Sequence, residues 1–309
     1  MDAVVTAGGI PQPDEPLYAY TKGESKAMVD IAGKPMIQWV LDALSDAKNV
    51  ENVIITGLSP KSNLKCKKPL HYLSNQGKML DNLIAGMNKS GELSPKNKHV
   101  LLVSSDIPAL KSEMVDWLIK TCMETSDDIY YGVCAREVME MRYPGSKRTY
   151  NKLKDMEVCG ADINIVHVRM ASVHLDLWEA LISRRKDPFA QARVMGLGTA
   201  YLYLTHQATL QDFVDRVSRR IGIKGRAIIW PYAEACMDVD KPNQLELMRA
   251  DLAKQAVSAP RKLAAKRPAP AATKKPAGKK KPLAKKPATP VKRKPVAKKS
   301  PAKPRAKKK

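Results

Sequence analysis

Asp2-Ala3-Val4-Val5-Thr6-Ala7-Gly8-Gly9, answered downstream by Gly33-Lys34-Pro35-Met36-Ile37, decides the fold of this 309-residue chain. Residues 2–7 read as a short buried strand that runs straight into two glycines. Glycine there lets backbone N–H groups approach a phosphate without a Cβ in the way. The loop is not a dinucleotide fingerprint, because no G-x-G-x-x-G follows, nor a Walker loop, because no G-K-[ST] follows. Pro11, Pro13 and Pro16 keep the next stretch irregular. Pro35 then stands where a first helical turn accepts proline, and Met36, Ile37, Val40, Leu41 and Leu44 follow at helical spacing.

Outward from that unit the pattern repeats. Residues 53–57 read as a strand, 71–73 as a weak one, and Leu80, Leu83, Ile84 and Met87 as one helix face. Residues 99–104 make a clear buried strand, 113–123 a helix and 128–134 a further strand. This alternation predicts an α/β fold: a three-layer α/β/α arrangement on an open, mostly parallel sheet. From Arg148 the rhythm changes. Residues 149–153 and 157–168 read as a strand pair around Lys154-Asp155. Helices are expected at 172–185, 188–195 and 210–221, a strand at 227–230, and a last helix at 242–256.

Charge divides the chain more sharply than hydropathy does. The net charge is +23, from 54 Lys+Arg against 31 Asp+Glu. Residues 258–309 hold 21 of those bases and no acid, leaving residues 1–257 at 33 basic against 31 acidic. A near-neutral domain over 1–257 is therefore followed by a Lys/Pro/Ala-rich tail that cannot bury enough apolar surface to order itself. This excludes reading the whole chain as a basic nucleic-acid-binding domain. Residues 1–9 lack the charged start of a secretory signal, and no apolar run approaches the ~20 residues of a membrane span. The five cysteines are scattered and never spaced C-x-x-C, which argues against a zinc site and fits a reducing cytoplasm.

The ordered set Ala7-Gly8-Gly9, Lys26 and Gly33-Lys34-Pro35-Met36-Ile37, with Trp39 to Leu44 behind it, resembles one family. It is the nucleotidyltransferases that activate sugars and cofactors, especially the molybdenum-cofactor guanylyltransferase-like (MobA-like) branch. The resemblance covers roughly residues 2–252. It implies a nucleotide-diphospho-sugar transferase-like fold, a glycine loop (Ala7, Gly8, Gly9) around the nucleotide phosphates, and Lys26 as the catalytic charge on the phosphate under attack. Phosphoryl transfer is catalysed mostly by such positioning and charge stabilisation. Asp106, in Ser104-Ser105-Asp106-Ile107-Pro108, follows a buried strand and so lies at the sheet edge where ligands bind in open α/β folds. The family's D-x-P aspartate is a magnesium ligand, and its D-[IV]-[DN]-x-P segment supplies the second, here Asp240 of Asp238-Val239-Asp240-Lys241-Pro242. Magnesium takes a few carboxylates plus substrate phosphates, so the pair suits Mg2+.

Ser74-Asn75-Gln76-Gly77 and Asn82 fall where relatives read base and ribose, so Asn75 and Asn82 are nucleotide-binding candidates. Gly160-Ala161-Asp162 resembles a Gly-Gly-Asn stretch facing the acceptor, with Asp162 in the place of the Asn. The loop departs from the family pattern G-x-G-x-R-M-x-x-x-x-P-K: residues 10–23 contain no arginine, and Ser25 replaces the proline before the lysine. Lys22 could stand in for that arginine only as a point charge.

The tail, with Thr289-Pro290-Val291-Lys292 and Ser300-Pro301-Ala302-Lys303, resembles that of linker histones. Without aromatic residues it has no means of base stacking, so it is expected to bind DNA, RNA or polyphosphate non-specifically and to bring the protein to the nucleoid. The leading expectation is a Mg2+-dependent transfer of NMP from an NTP to a phosphorylated sugar or cofactor, releasing pyrophosphate. The alternatives are a non-catalytic relative tethered to nucleic acid by the tail, and a glycosyltransferase of related architecture.

Overall fold

The strand at the head of the chain forms as β1 (Ala3–Thr6) and lies inside a parallel ladder. On one side it pairs with β4 (Val53–Thr56), with Ala3 opposite Val53, and β4 pairs in turn with β5 (Leu70–Leu73). On the other it pairs with β6 (His99–Ser104), with Ala3 opposite Leu101. Successive side chains alternate between the two faces of a strand. Val4, Ile54 and Val100 therefore share one apolar layer with Met87, while Val5, Ile55 and Leu101 share the opposite layer with Ile37 and Leu41. Helix α2 (Met36–Asp46), which follows the short α1 (Tyr18–Thr21), packs with α4 (Ser112–Cys122) on that second face, and α3 (Met79–Leu93) covers the first. Both faces are buried, which is why these strands read as continuous apolar runs. Ile37, Leu41 and Leu44 are fully buried on α2, each contributing about 2 kcal/mol relative to exposure.

The computed structural model describes residues 1–173, 175, 178–179 and 196–258. The chain divides into two units, Met1–Pro260 and Arg261–Lys309, and the described residues all lie in the first. The helix expected at 172–185 lies mostly outside the described residues. The helix at 188–195 and the tail beyond Ser258 lie outside them altogether.

Past β6 the sheet becomes mixed. β7 (Ile129–Ala135) is followed by α5 (Arg136–Arg142), a helix the sequence reading leaves unassigned. The strand read over 157–168 forms as two, β9 (Glu157–Gly160) and β10 (Ile163–His167), broken at Ala161-Asp162. At the break the Ala161 N–H donates to Gly132 O at 2.9 Å and the Asp162 N–H to Ala235 O at 3.2 Å, so the chain changes partners there. β10 slots antiparallel between β6 and β7, whereas β9 pairs antiparallel with the far end of β7 and with β8 (Asn151–Lys152). β11 (Gly225–Ile229) runs parallel to β7. The resulting nine-stranded order among the described residues is β5-β4-β1-β6-β10-β7-β9-β8, with β11 on β7. The fold class is the expected one, α/β with helices on both faces; its parallel character resides in the β5-to-β6 ladder and in β7–β11.

Two local differences have plain causes. Pro35 caps α2 rather than opening it, because it pairs with Asp30 in the small ladder of β2 (Asp30–Ile31) and β3 (Lys34–Pro35). A helix at Leu197–Leu204 was not legible, since its long apolar side chains Leu197, Tyr201 and Leu204 are exposed rather than periodic toward a core. The helix Leu210–Ile221 forms where expected, started by a Thr209/Asp212 capping box and ended by Gly222 in the left-handed region. No helix among the described residues is long and apolar enough to cross a membrane.

Candidate active site

The glycine loop is fixed by its neighbours rather than by its own side chains. Ala7 N–H donates to Thr56 O at 2.8 Å, continuing β1 one residue beyond the strand. Gly57, next on the β4 side, has φ +103°, and a Cβ on it would stand 2.3 Å from Gly8 Cα and N. Only glycine fits there, so Gly57 is the floor of the loop. Sequence reading included it in the strand and missed this role. A Cβ on Gly8 would meet Asn75 Oδ1 at 2.9 Å, and Asn75 Nδ2 donates to Gly8 O at 3.1 Å. Asn75 thus touches the loop directly. Asn82 is 4% exposed, and its amide donates to Asn75 Oδ1 at 2.9 Å while its Oδ1 accepts from Gln76 N–H at 3.0 Å. Asn82 therefore holds the 75–77 loop in shape from beneath.

Ser25 ties the next segment in. Its hydroxyl donates to Ala7 O at 2.7 Å and accepts from Ala27 N–H, while Lys26 N–H donates to Gly9 O at 3.0 Å. A serine in the family's proline position thus caps the 3₁₀ turn Lys26–Met28 and binds it to the glycine loop. From that turn the Lys26 ammonium reaches Asp106 Oδ2 at 2.5 Å and Asp240 Oδ1 at 2.6 Å. Burial works to lower its pKa, but the charges and hydrogen bonds of Asp106 and Asp240 more than offset this and hold it well above the ordinary lysine value. Lys26 stays an ammonium at any physiological pH.

Asp106 leaves the C-terminal end of β6, 5% exposed, and its Oδ1 has no hydrogen-bond partner among the described residues. Asp240 comes from the other end of the domain. Val239 N–H donates to Asp106 O at 3.0 Å, joining the two segments, and buried Gln244 accepts from the N–H groups of Asp240 and Lys241 at 2.9 Å each. Asp162, at the break between β9 and β10, belongs to the same neighbourhood. Burial first, then the Asp106 and Asp240 carboxylates, push it up to about 7 against the opposing charges of Arg148 and Lys26. Lys34 stands apart, paired with Asp42 and lying 3.6 Å over the Trp39 ring.

The reading from sequence missed one charged member, Arg148, and left open whether Asp238, two residues from Asp240, supports the site or is simply solvated. Arg148, 13% exposed, pairs with Asp238 and lies 3.7 Å from Asp162. The signal for Arg148 was weak: a single arginine in an unassigned loop. With them the cleft holds, among the described residues, two cations, Lys26 and Arg148, against Asp106, Asp162, Asp238 and Asp240. When all four carboxylates are ionised, one divalent cation balances the cluster. Among the described residues no three His, Cys, Asp or Glu side chains gather as a protein-only cage. Magnesium does not need one, because one or two carboxylates and phosphate oxygens suffice. Asp106 and Asp240 already converge on one ammonium and Asp106 Oδ1 is unpartnered, so the residues fit a divalent ion.

The MobA-like NTP transferase domain matches residues 3–193 of the chain. A hypothetical transferase from Thermus thermophilus is similar in structure, with 29% identity and a TM-score of 0.68 over 79% of this chain and 98% of that one. The structure of CMP:2-keto-3-deoxy-manno-octonic acid synthetase complexed with CTP is similar at 15% identity, with a TM-score of 0.50 over 82% of this chain and 98% of that one; this speaks for the fold alone. A 3-deoxy-manno-octulosonate cytidylyltransferase from Geotalea uraniireducens is 28% identical over 112 residues, 35% of this chain, and the match spans 43% of that relative's length.

Proposed function

Because the chain belongs to the family of MobA-like NTP transferase domains, we propose that it is a Mg2+-dependent nucleotidyltransferase that moves NMP from an NTP to a phosphorylated sugar or cofactor acceptor, with pyrophosphate as the leaving group. The observation that carries this reading is Lys26, held by Asp106 and Asp240 beside a glycine loop. The backbone N–H groups of Gly8 and Gly9 bind phosphate oxygens, and Asn75 sits where it can meet the nucleoside as well as the loop. Lys26 delivers a permanent positive charge to the α-phosphate as the acceptor oxygen attacks and pyrophosphate leaves in line. Asp106 and Asp240 would hold the magnesium, which when bound supplies Lewis-acid charge to the phosphate oxygens. Asp162 faces the acceptor side. CTP is the first nucleotide to try, since two of the three similar proteins named above are a cytidylyltransferase and a synthetase complexed with CTP.

The test is a thermal-shift panel of the four NTPs with and without Mg2+, paired with pyrophosphate release across sugar phosphates and sugar acids, with Asp106→Ala as control. A metal-dependent rise in melting temperature with one NTP, and product only when the matching acceptor is present, are the expected results. No shift with any NTP and no pyrophosphate would sink the reading.

The loop without arginine favours a second reading, a non-catalytic relative that binds polyanions through residues 258–309, where 21 bases meet no acid. Such a tail binds DNA, RNA or polyphosphate without sequence preference and with steep salt dependence. Deleting 258–309 separates the two functions. Polyanion binding should vanish while any transferase activity survives, and tight DNA binding by the truncated chain at physiological salt would contradict the division.

A further inference from the structure

Arg148 sits on the loop after α5 and has no part in the chemistry proposed above. Its Nη1 pairs with Asp238, its Nη2 donates to Gly160 O at 3.1 Å, and the same nitrogen lies 3.7 Å from Asp162 Oδ2. A planar guanidinium can satisfy acceptors on separate segments at once, which the point charge of an ammonium does not do. The three partners belong to two regions: the end of β9 with the break beyond it, and the segment carrying Asp240.

The loop that presents Arg148 is itself locked to that second region. Ser146 O accepts from Gln244 Nε2 at 3.3 Å, and the Lys241 ammonium donates to Lys147 O at 3.2 Å. The turn needs positive φ at Gly145 (+74°) and at Lys147 (+54°), the latter unfavourable for a residue with a Cβ and sustained by those bonds. The segment 238–240 is pinned at three successive residues. Arg148 grips Asp238, Asp106 O accepts from Val239 N–H, and Gln244 accepts from Asp240 N–H. Without the guanidinium, Asp238 and Asp162 would face Asp106 and Asp240 as uncompensated like charges, and the segment would move to separate them.

We propose that Arg148 is a positioning residue: by gripping Asp238, Gly160 and Asp162 together it sets where Asp240 stands relative to Asp106 and to the acceptor side of the cleft. The inference rests on the nucleotidyltransferase reading. Its test compares full-length wild type with Arg148→Met, Arg148→Lys, Asp238→Asn and the Met/Asn double variant. The readouts are Mn2+ affinity in the presence of CTP, followed by electron paramagnetic resonance, together with kcat, KM and melting temperature.

Arg148→Met should weaken Mn2+ binding and lower kcat by about ten- to a hundred-fold, the range for losing a charge-assisted hydrogen bond. The KM for CTP should change much less. Arg148→Lys should recover part of both losses, and the double variant should be no worse than the worse single one, because both break the same contact. If Arg148→Met lowers only the melting temperature, leaving Mn2+ affinity and kcat intact, the residue is merely structural and the proposal falls. It falls equally if the acceptor KM alone rises, since Arg148 would then be an acceptor contact. Should Arg148→Met fail to fold, Arg148→Lys and Asp238→Asn decide by the same readouts. A wild type that binds no Mn2+–CTP, nor Mn2+ with any other NTP, overturns the parent reading and this one, and is told apart by failing before any substitution.

Discussion

The two halves of the sheet contribute to the cleft in different ways. In the parallel half, β5-β4-β1-β6, four contributions come just past a strand's C-terminal end: Gly8 after β1, Gly57 after β4, Asn75 after β5 and Asp106 after β6. Parallel strands bring those ends to one edge, so topology alone gathers the groups. In the mixed half Arg148 comes from a loop, Asp162 from a break between strands, and Asp238 and Asp240 from the segment before the last helix. The ladder aligns only Asp162 among these, because Ile163 pairs with Val103 and Ser104 N–H donates to Asp162 O at 2.8 Å. The others depend largely on ion pairs between distant segments, Arg148 with Asp238 and Arg142 with Glu234 and Asp251, and a further pair in this half, Arg169 with Asp128, ties the end of β10 to the start of β7. One half is assembled by register, the other by charge far more than by register.

If that contrast is right, the largest loss should come where the two halves meet. Lys26→Met removes a cation that touches a carboxylate from each half, and kcat should fall by about 10²–10³-fold, as for removal of other charge-stabilising donors. Asp106 and Asp240 would then face each other uncompensated, so added Mg2+ should raise the variant's melting temperature more than the wild type's. Equal Mg2+ shifts would mean that the two carboxylates do not share a cation. Gly57→Ala tests the register-built half. Its Cβ would overlap the Gly8 backbone at a φ of +103°, so the expected cost is about 3 kcal/mol in denaturant unfolding. NTP affinity should weaken with it, while a variant of unchanged stability would show that the loop floor can yield.

The same contrast explains what the sequence made legible. Ala7-Gly8-Gly9 and Asp106 stand out because apolar strand runs announce the edge at which they lie, whereas Lys26 does so only through the family motif around it. Asp240 needed the family pattern around it. Alternation along an extended segment sets Asp238 on the side of Asp240, but its contact with Arg148 is 90 positions away and nothing local marks that arginine. The break at Ala161-Asp162 is equally silent: 157–168 is apolar enough to read as one strand, and only the change of partner from β7 and β8 to β6 and β7 divides it. Gly57 was hidden for the opposite reason. A glycine at the end of a strand looks ordinary until the backbone of Gly8 lies against it.

Asp128 gives the smallest effect and the most direct measure of charge in the second half. It is 5% exposed at the start of β7, and the Arg169 guanidinium forks onto it at 3.0 and 2.6 Å while Lys224 N–H donates at 2.9 Å. Burial alone would raise its pKa, but the Arg169 hydrogen bonds and the Lys224 N–H more than offset this and hold it below the ordinary aspartate value. A carboxylate depressed in the folded state adds stability that is fully present above its unfolded value, about 3.9, and is lost as pH falls through the lower folded value. Asp128→Asn should therefore cost about 2 kcal/mol at pH 7, the worth of hydrogen bonds to a charged group. The gap in unfolding free energy between variant and wild type should begin to close below about pH 4. A gap that stays constant down to pH 3 would mean that shape, not charge, holds this corner, and the assignment of the mixed half to ionic clamps would lose its clearest case.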